Sequence, residues 1–106
     1  MSWPLSRGQV IRADIGLNEP KLVVIVSNNR RNRHLGDVLA ARLTTSPTPP
    51  LPSIVELTGE TLSGRVVCDD IMPVYQDEVV GTVAALSPRT MVAINRGLAA
   101  ALDLPQ

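Results

Sequence analysis

Leu22-Val23-Val24-Ile25-Val26 is apolar without interruption, and all but Leu22 branch at Cβ. Branching at Cβ crowds a helical turn but suits the pleated strand. A run of this length with no polar alternation belongs to a strand buried on both faces. The rest of the chain must therefore cover one central strand from two sides.

The neighbouring segments are also strands. Arg7 to Gly16 alternates, with Ile11, Ala13 and Ile15 on one side and Arg12 and Asp14 on the other, the pattern of a half-buried strand. Gly16-Leu17-Asn18-Glu19-Pro20 reads as the loop between them, and Ser27-Asn28-Asn29 ends the apolar run. Arg30 to Leu35 is short and polar, with room for one helical turn. Val38 to Thr45 is a third strand, with Val38, Ala40, Arg42 and Thr44 on one face and Leu39, Ala41, Leu43 and Thr45 on the other. Four prolines between Ser46 and Ser53 rule out regular structure and mark an exposed loop. Ile54 to Leu57, Leu62 to Asp70 and Asp77 to Leu86 supply further strands.

Ser87-Pro88 opens a helix, with a capping residue followed by proline in the first turn. Met91, Ile94, Leu98 and Leu102 then recur at helical spacing, and the helix stops near Asp103, ahead of Pro105. Many short strands closed by one C-terminal helix make a mainly β fold with one α element. The arrangement favours a small barrel or a strongly curled sheet. A length of 106 residues fits one domain, taken as residues 1–106.

Ten Lys and Arg balance ten Asp and Glu, so no global field draws the chain to nucleic acid or membrane, and any anion site has to be local. The lone Cys68 cannot form an intrachain disulfide. With the lone His34 it offers no zinc-ligand spacing, so neither a metal nor a cofactor is expected. Cys68 is expected to be a small buried apolar residue rather than a nucleophile. The N-terminus starts no signal-like apolar run, and nothing approaches the roughly 18 apolar residues of a membrane span. A reducing, cytoplasmic setting without membrane contact is the simplest expectation. Trp3 and Tyr75 are the only aromatics. Most single-strand RNA-binding modules stack bases on several rings. This chain cannot, and would have to hold RNA through polar and cationic groups.

Several motifs resemble, in order and spacing, those of the MazF/PemK toxin family. Arg7-Gly8-Gln9-Val10 resembles that family's R-G-[DEQ]-[VI] opening. Lys21 to Asn29 is similar to its second strand, R-P-x-[LV]-V-[IV]-S-N-[DN], and Asn32-Arg33 to the N-R pair that follows. Leu43-Thr44-Thr45 resembles the end of the third strand, and Gly64 to Asp69 the segment G-x-V-x-[CA]-D. Met91 to Leu102 matches the terminal helix, so the resemblance runs from about residue 7 to 104. It implies an SH3-like barrel of the MazF/CcdB kind, a homodimer, and a toxin that cuts RNA selectively without a metal. It also implies products ending in 2′,3′-cyclic phosphate and 5′-hydroxyl, and a small MazE-like antitoxin as partner.

The resemblance directs attention to three catalytic candidates. Lys21 stands where the family carries arginine; it keeps the charge, loses the bidentate fork, and gains the capacity to exchange a proton. Thr44 would hydrogen-bond the scissile phosphate. Asp69 is the carboxylate candidate, on the strand face of Arg65 and Val67 by the two-residue repeat. Val67 replaces a frequent family arginine, and Arg65 is the candidate to stand in for it. Arg30, Arg31, Arg33 and His34 form a basic cluster suited to sequence-independent phosphate contact, with Thr45 and Arg65 as further RNA-binding candidates. The loop from Gly16 to Pro20 is short and lacks the histidine found in plasmid-borne relatives. Two other readings share this fold: a CcdB-like gyrase poison without nuclease activity, and a catalytically inactive binding module.

Overall fold

The structure is a computed structural model that describes residues 3–16 and 18–105. The chain runs β1 (Gln9–Ala13), β2 (Lys21–Ile25), α1 (Asn29–His34), β3 (Asp37–Thr44), β4 (Ile54–Glu56), β5 (Arg65–Tyr75), a 3-10 turn (Gln76–Glu78), β6 (Val79–Ala85) and α2 (Pro88–Leu102). The strands form one antiparallel sheet in the order β4-β5-β3-β2-β1-β6. Its outer strands are not hydrogen-bonded to each other, so the sheet curls without closing, an open form of the expected barrel.

The central apolar run does what its composition demands. Val24 joins Val10, Ala41, Val66, Cys68 and Ile94 in a core on the α2 side, with Met91 and Leu98 against it. Val23 and Ile25 join Ile11, Ala13, Val38, Ala40 and Val74 in a second core on the opposite face. β1 keeps the expected alternation from Ile11 onward, with Ile11 and Ala13 buried and Arg12 and Asp14 exposed, but Val10, on the Arg12 side, is also fully buried. β2 and β6 occupy the two edges of β1, while the α2-side core covers Val10 and the opposite core covers Ile11 and Ala13.

β5 departs most from the sequence pattern. It begins at Arg65 and continues to Tyr75, beyond the expected end at Asp70. A bulge explains the difference: Val67 pairs with Arg42 and Ile71 pairs with Ala41, so Cys68 to Asp70 have no register partners on β3. The two-residue repeat does not carry through the bulge, and Val66, Val67 and Cys68 are buried in succession. The expected common face of Arg65, Val67 and Asp69 is therefore interrupted. Pro73 is accommodated because β4 pairs only with Arg65 to Val67, leaving the far edge of β5 open where proline lacks its N–H.

The motif residues of β2 and α1 have structural duties. Asn28 caps α1, accepting a hydrogen bond from Arg31 N. Asn32 is fully buried; its Nδ2 donates to the Ser27 carbonyl, and its Oδ1 accepts from Ser27 Oγ at 2.6 Å. Ser27 Oγ in turn accepts from Leu39 N at 2.9 Å, tying α1 to β3. Arg7 Nε donates to the Val26 carbonyl at 2.9 Å, and its Nη2 donates to Asn95 of α2. The opening motif thus joins the chain start, the end of β2 and the last helix.

At α2, Ser87 Oγ accepts from Thr90 N and Pro88 occupies the first turn, as expected. The helix ends on Asp103 at φ 56°, where Leu104 N donates to the Ala99 carbonyl at 2.8 Å. Gly97 lets α2 approach the sheet closely; a Cβ there would lie 2.8 Å from Cys68 Sγ. Among the described residues, no helix is long and apolar enough to cross a membrane.

Candidate active site

The first turn of β2 and the last turn of β3 lie side by side. β2 and β3 are antiparallel with Val23 opposite Arg42. The paired ladder ends there, and beyond it Lys21 and Thr44 line one cleft. Thr44 pairs in turn with Arg65 on β5, and Arg65 with Glu56 on β4. Directly opposed residues share a face, so Thr44, Arg65 and Glu56 form one polar row across three strands. Each step is about 4.8 Å.

At its Thr44 end the row opens into a cleft of about 180 Å³, walled by Glu19, Pro20, Lys21, Leu22, Leu43, Thr44, Thr45 and Ser63. Lys21 Nζ lies 3.6 Å from Glu19 Oε1, with side-chain exposures of 39% and 78%. That leaves the ammonium only loosely paired, open to an incoming anion. Thr44 Oγ1 accepts from Ser46 N at 3.1 Å. One lone pair is thereby occupied while the hydroxyl proton stays free to be donated.

The loop ahead of β5 supports the floor of the cleft. Gly64 has φ +116°, and a Cβ on it would fall 2.5 Å from the Thr44 carbonyl oxygen. Only glycine allows that approach. Arg65 holds the next turn of chain: its Nε lies 3.0 Å from Glu56 Oε1, and its Nη1 donates to the Ser46 carbonyl at 3.3 Å. Arg65 is thus beside Thr44 in the row, but its guanidinium is engaged in bracing the segment after Thr44.

Lys21, Thr44 and Thr45 line the same cleft, although Thr45 was expected on the strand face opposite Thr44. Asp69 does not join them: it lies exposed at the β5 bulge and is absent from the cleft wall. The carboxylate that does line the cleft is Glu19. Its signal in the sequence was only its position two residues before Lys21, in a loop read for its shortness. Arg42 and Asp70 were also missed. Arg42 Nε donates to Asp70 Oδ2 at 2.6 Å, on the strand face that carries Thr44. No linear pattern announces that pair, because the bulge creates it.

The basic cluster stands elsewhere. α1 follows the C-terminal end of β2 and precedes β3, whereas Lys21 and Thr44 occupy the opposite ends of those strands. The length of β2 alone separates them by roughly 13 Å. Arg31 is committed to Asp37, with Nη2 2.7 Å from Oδ1 and Nη1 donating to the carbonyl. Arg30, Arg33 and His34 are exposed.

Cys68 is fully buried against α2, and burial, with the Asp69 charge as a lesser cause, pushes its thiol up to about 11. It is a packing residue, not a nucleophile at neutral pH.

Comparison with known proteins identifies the family and the fold. The family described as PemK-like, MazF-like toxin of type II toxin-antitoxin system matches residues 6–102. Endoribonuclease MazF1 of Mycobacterium bovis is 44% identical, the match covering 99% of this chain and 98% of the relative. Endoribonuclease MazF4 of Mycobacterium tuberculosis matches to the same extent. Among solved structures, an endoribonuclease in complex with its cognate antitoxin from a mycobacterial species superposes with a TM-score of 0.88 at 42% identity, covering 97% of this chain and 99% of that one. MazE-MazF from Deinococcus radiodurans, at 15% identity, shares the fold with a TM-score of 0.82 over 98% of this chain and 100% of that one.

Proposed function

Because this chain belongs to the PemK/MazF-like toxin family of type II toxin–antitoxin systems, we propose that this endoribonuclease cuts single-stranded RNA without a metal, at the Lys21–Thr44 cleft. The observation that carries the site is the convergence of a lightly paired ammonium and a donor-ready hydroxyl, from residues 23 positions apart, in one cleft.

The chemistry is a transesterification. A base removes the 2′-hydroxyl proton, the 2′-oxygen bonds to phosphorus, and the bond from phosphorus to the 5′-oxygen breaks as that oxygen gains a proton. A 2′,3′-cyclic phosphate and a 5′-hydroxyl result. Lys21 stabilises charge growing on the phosphoryl oxygens and is placed to protonate the leaving oxygen. Thr44 donates to a phosphoryl oxygen. Glu19, in the cleft wall beside Lys21, is the carboxylate best placed as base, a role the sequence alone would have given to Asp69. Thr45 contacts the RNA, and Arg65 holds the backbone that presents Thr44. The exposed α1 cations Arg30, Arg33 and His34 bind phosphates away from the cut, while Arg31 holds Asp37.

Cleavage of messenger, transfer or ribosomal RNA would stop translation and arrest growth. A MazE-like antitoxin restrains the toxin, a reading supported by the related endoribonuclease solved with its cognate antitoxin. We place the protein in the cytoplasm as a homodimer. The gyrase-poison reading finds no support in these relatives, and an inactive module would have no use for the Lys21–Thr44 pairing.

The test is incubation of purified protein with mixed single-stranded RNA in EDTA, followed by end-group analysis. Discrete cuts ending in cyclic phosphate are expected, lost in folded Lys21→Ala and Thr44→Ala proteins and strongly reduced in Glu19→Gln. Intact RNA across diverse substrates, total transfer RNA included, overturns the reading. Loss of activity in Asp69→Asn with retention in Glu19→Gln would return the base to Asp69.

A further inference from the structure

Arg42 occupies the same face of β3 as Thr44, two residues away. Its register partner on β2 is Val23, two residues from Lys21. Arg42 therefore lies about 7 Å along β3 from Thr44, and Lys21 lies with Thr44 in the cleft wall. Arg42 is held in a particular way. Its Nε donates to Asp70 Oδ2 at 2.6 Å, and the two side chains are 41% and 42% exposed. Among the described residues, neither Nη of Arg42 has a hydrogen-bond partner, in contrast to Arg31, which spends both on Asp37, and Arg65, which spends one on Ser46. The guanidinium is thus anchored by one edge while the other stays available.

The anchor is built by the fold. Cys68, Asp69 and Asp70 are the residues that β5 throws out of register opposite the Ala41–Arg42 step. An exposed ion pair of this kind adds little to stability. A half-engaged arginine does have a use next to a polyanion, because restricting its rotamers in advance lowers the entropy lost when it binds phosphate.

We infer that Arg42, steadied by Asp70, is a second phosphate contact for the RNA, gripping the phosphodiester next to the one held by Lys21 and Thr44. The inference rests on the ribonuclease reading of the cleft. The spacing of Arg42 and Thr44 along β3 is comparable to the separation of successive phosphates in a strand. A grip on the neighbouring phosphate fixes the substrate along the row without reading its bases. It supplies local charge that a chain of zero net charge needs beside its cleft.

The test measures binding of a random-sequence, single-stranded RNA pool carrying 2′-O-methyl riboses, which cannot be cleaved, by fluorescence anisotropy over a range of salt. Cleavage of the unmodified pool is followed in parallel. Arg42→Gln is expected to weaken binding several-fold and to flatten the dependence of log K on log salt by about 0.7, the share of one phosphate contact on a single strand. KM rises while kcat is largely held. Asp70→Asn, which loosens the anchor but keeps the Arg42 charge, is expected to weaken binding less than Arg42→Gln and to keep the parent's salt slope, and parent-like affinity in it removes Asp70 from the assignment. The double variant Arg42→Gln/Asp70→Asn keeps net charge and a hydrogen-bonding pair, so it guards against misfolding of the single variant. Its salt dependence flattens by the same amount. Parent-like affinity and salt slope in the folded double variant, with the parent cutting RNA normally, overturn the Arg42 assignment alone. A parent protein that neither binds nor cuts the pool overturns the ribonuclease reading and this inference with it.

Discussion

Gly64→Ala tests how the cleft is built, and Gly59→Ala is its matched control. Both glycines have positive φ, +116° and +70°, so alanine meets backbone strain at either site. At Gly59 nothing lies within 4 Å of the new methyl group. At Gly64 the methyl group falls 2.5 Å from the Thr44 carbonyl oxygen and 3.3 Å from the carbonyl carbon. The strain costs about 1–3 kcal/mol at each site. Overpacking against Thr44 adds about 1–3 kcal/mol at Gly64 only. With a shift of roughly 4–8 °C per kcal/mol for a domain of this size, Gly64→Ala should melt at least several degrees below Gly59→Ala. The Thr44 backbone must also retreat by roughly half an ångström, and a misplacement of about 1 Å can cost about a hundredfold in rate. We expect kcat for RNA cleavage to fall about tenfold in Gly64→Ala and to stay near the parent value in Gly59→Ala. The assays are thermal unfolding followed by circular dichroism, and steady-state cleavage of one defined RNA. Equal melting temperatures and equal kcat in the two variants would show that Gly64 does not support Thr44.

Three further outcomes follow from buried or capped groups. Asn32→Ala removes both hydrogen bonds to Ser27 in a fully buried site and should destabilise the fold by about 1–3 kcal/mol, read by denaturant unfolding; an unchanged midpoint would leave the α1–β3 tie without energetic weight. Cys68 should resist thiol reagents in the native state at neutral pH. Because folding raises its pKa to about 11, its contribution to stability is present below the unfolded thiol value near 9 and is lost as pH climbs toward 11. Cys68→Ala should remove that part of the alkaline decline in unfolding titrations. Glu60 accepts hydrogen bonds from Ser87 N and Ser87 Oγ at the N-terminus of α2, which, with the Thr90 hydroxyl as the largest cause, hold its carboxyl below the usual range. Its stabilising effect is present above about pH 4.5 and disappears as pH falls through the lowered value, so Glu60→Gln should blunt the acid-side decline, and a parent-like acid profile in that variant would contradict the assignment.

The sequence by itself determined the elements whose cause is local. Five apolar residues at Leu22–Val26 required a strand covered on both sides, and β2 is one. Ser87-Pro88 and the Met91–Ile94–Leu98 stripe set the start and inner face of α2, since capping and a 3.6-residue period act over a few neighbours. Lys21 and Thr44 were legible as site residues through resemblance, not through any spacing between them. Tertiary structure decided the rest. Val10 of β1 is buried because the core under α2 covers its side of the sheet, which no alternation within Arg7 to Gly16 could announce. The β5 bulge carried the strand past Asp70, left Asp69 exposed, and set Asp70 against Arg42, because register is a property of two paired strands. The cleft itself exists because antiparallel pairing returns the end of β3 to the beginning of β2. The same pairing sends the basic turn of α1 to the far end, so a cationic cluster that begins only nine residues from Lys21 in the chain lies away from the site.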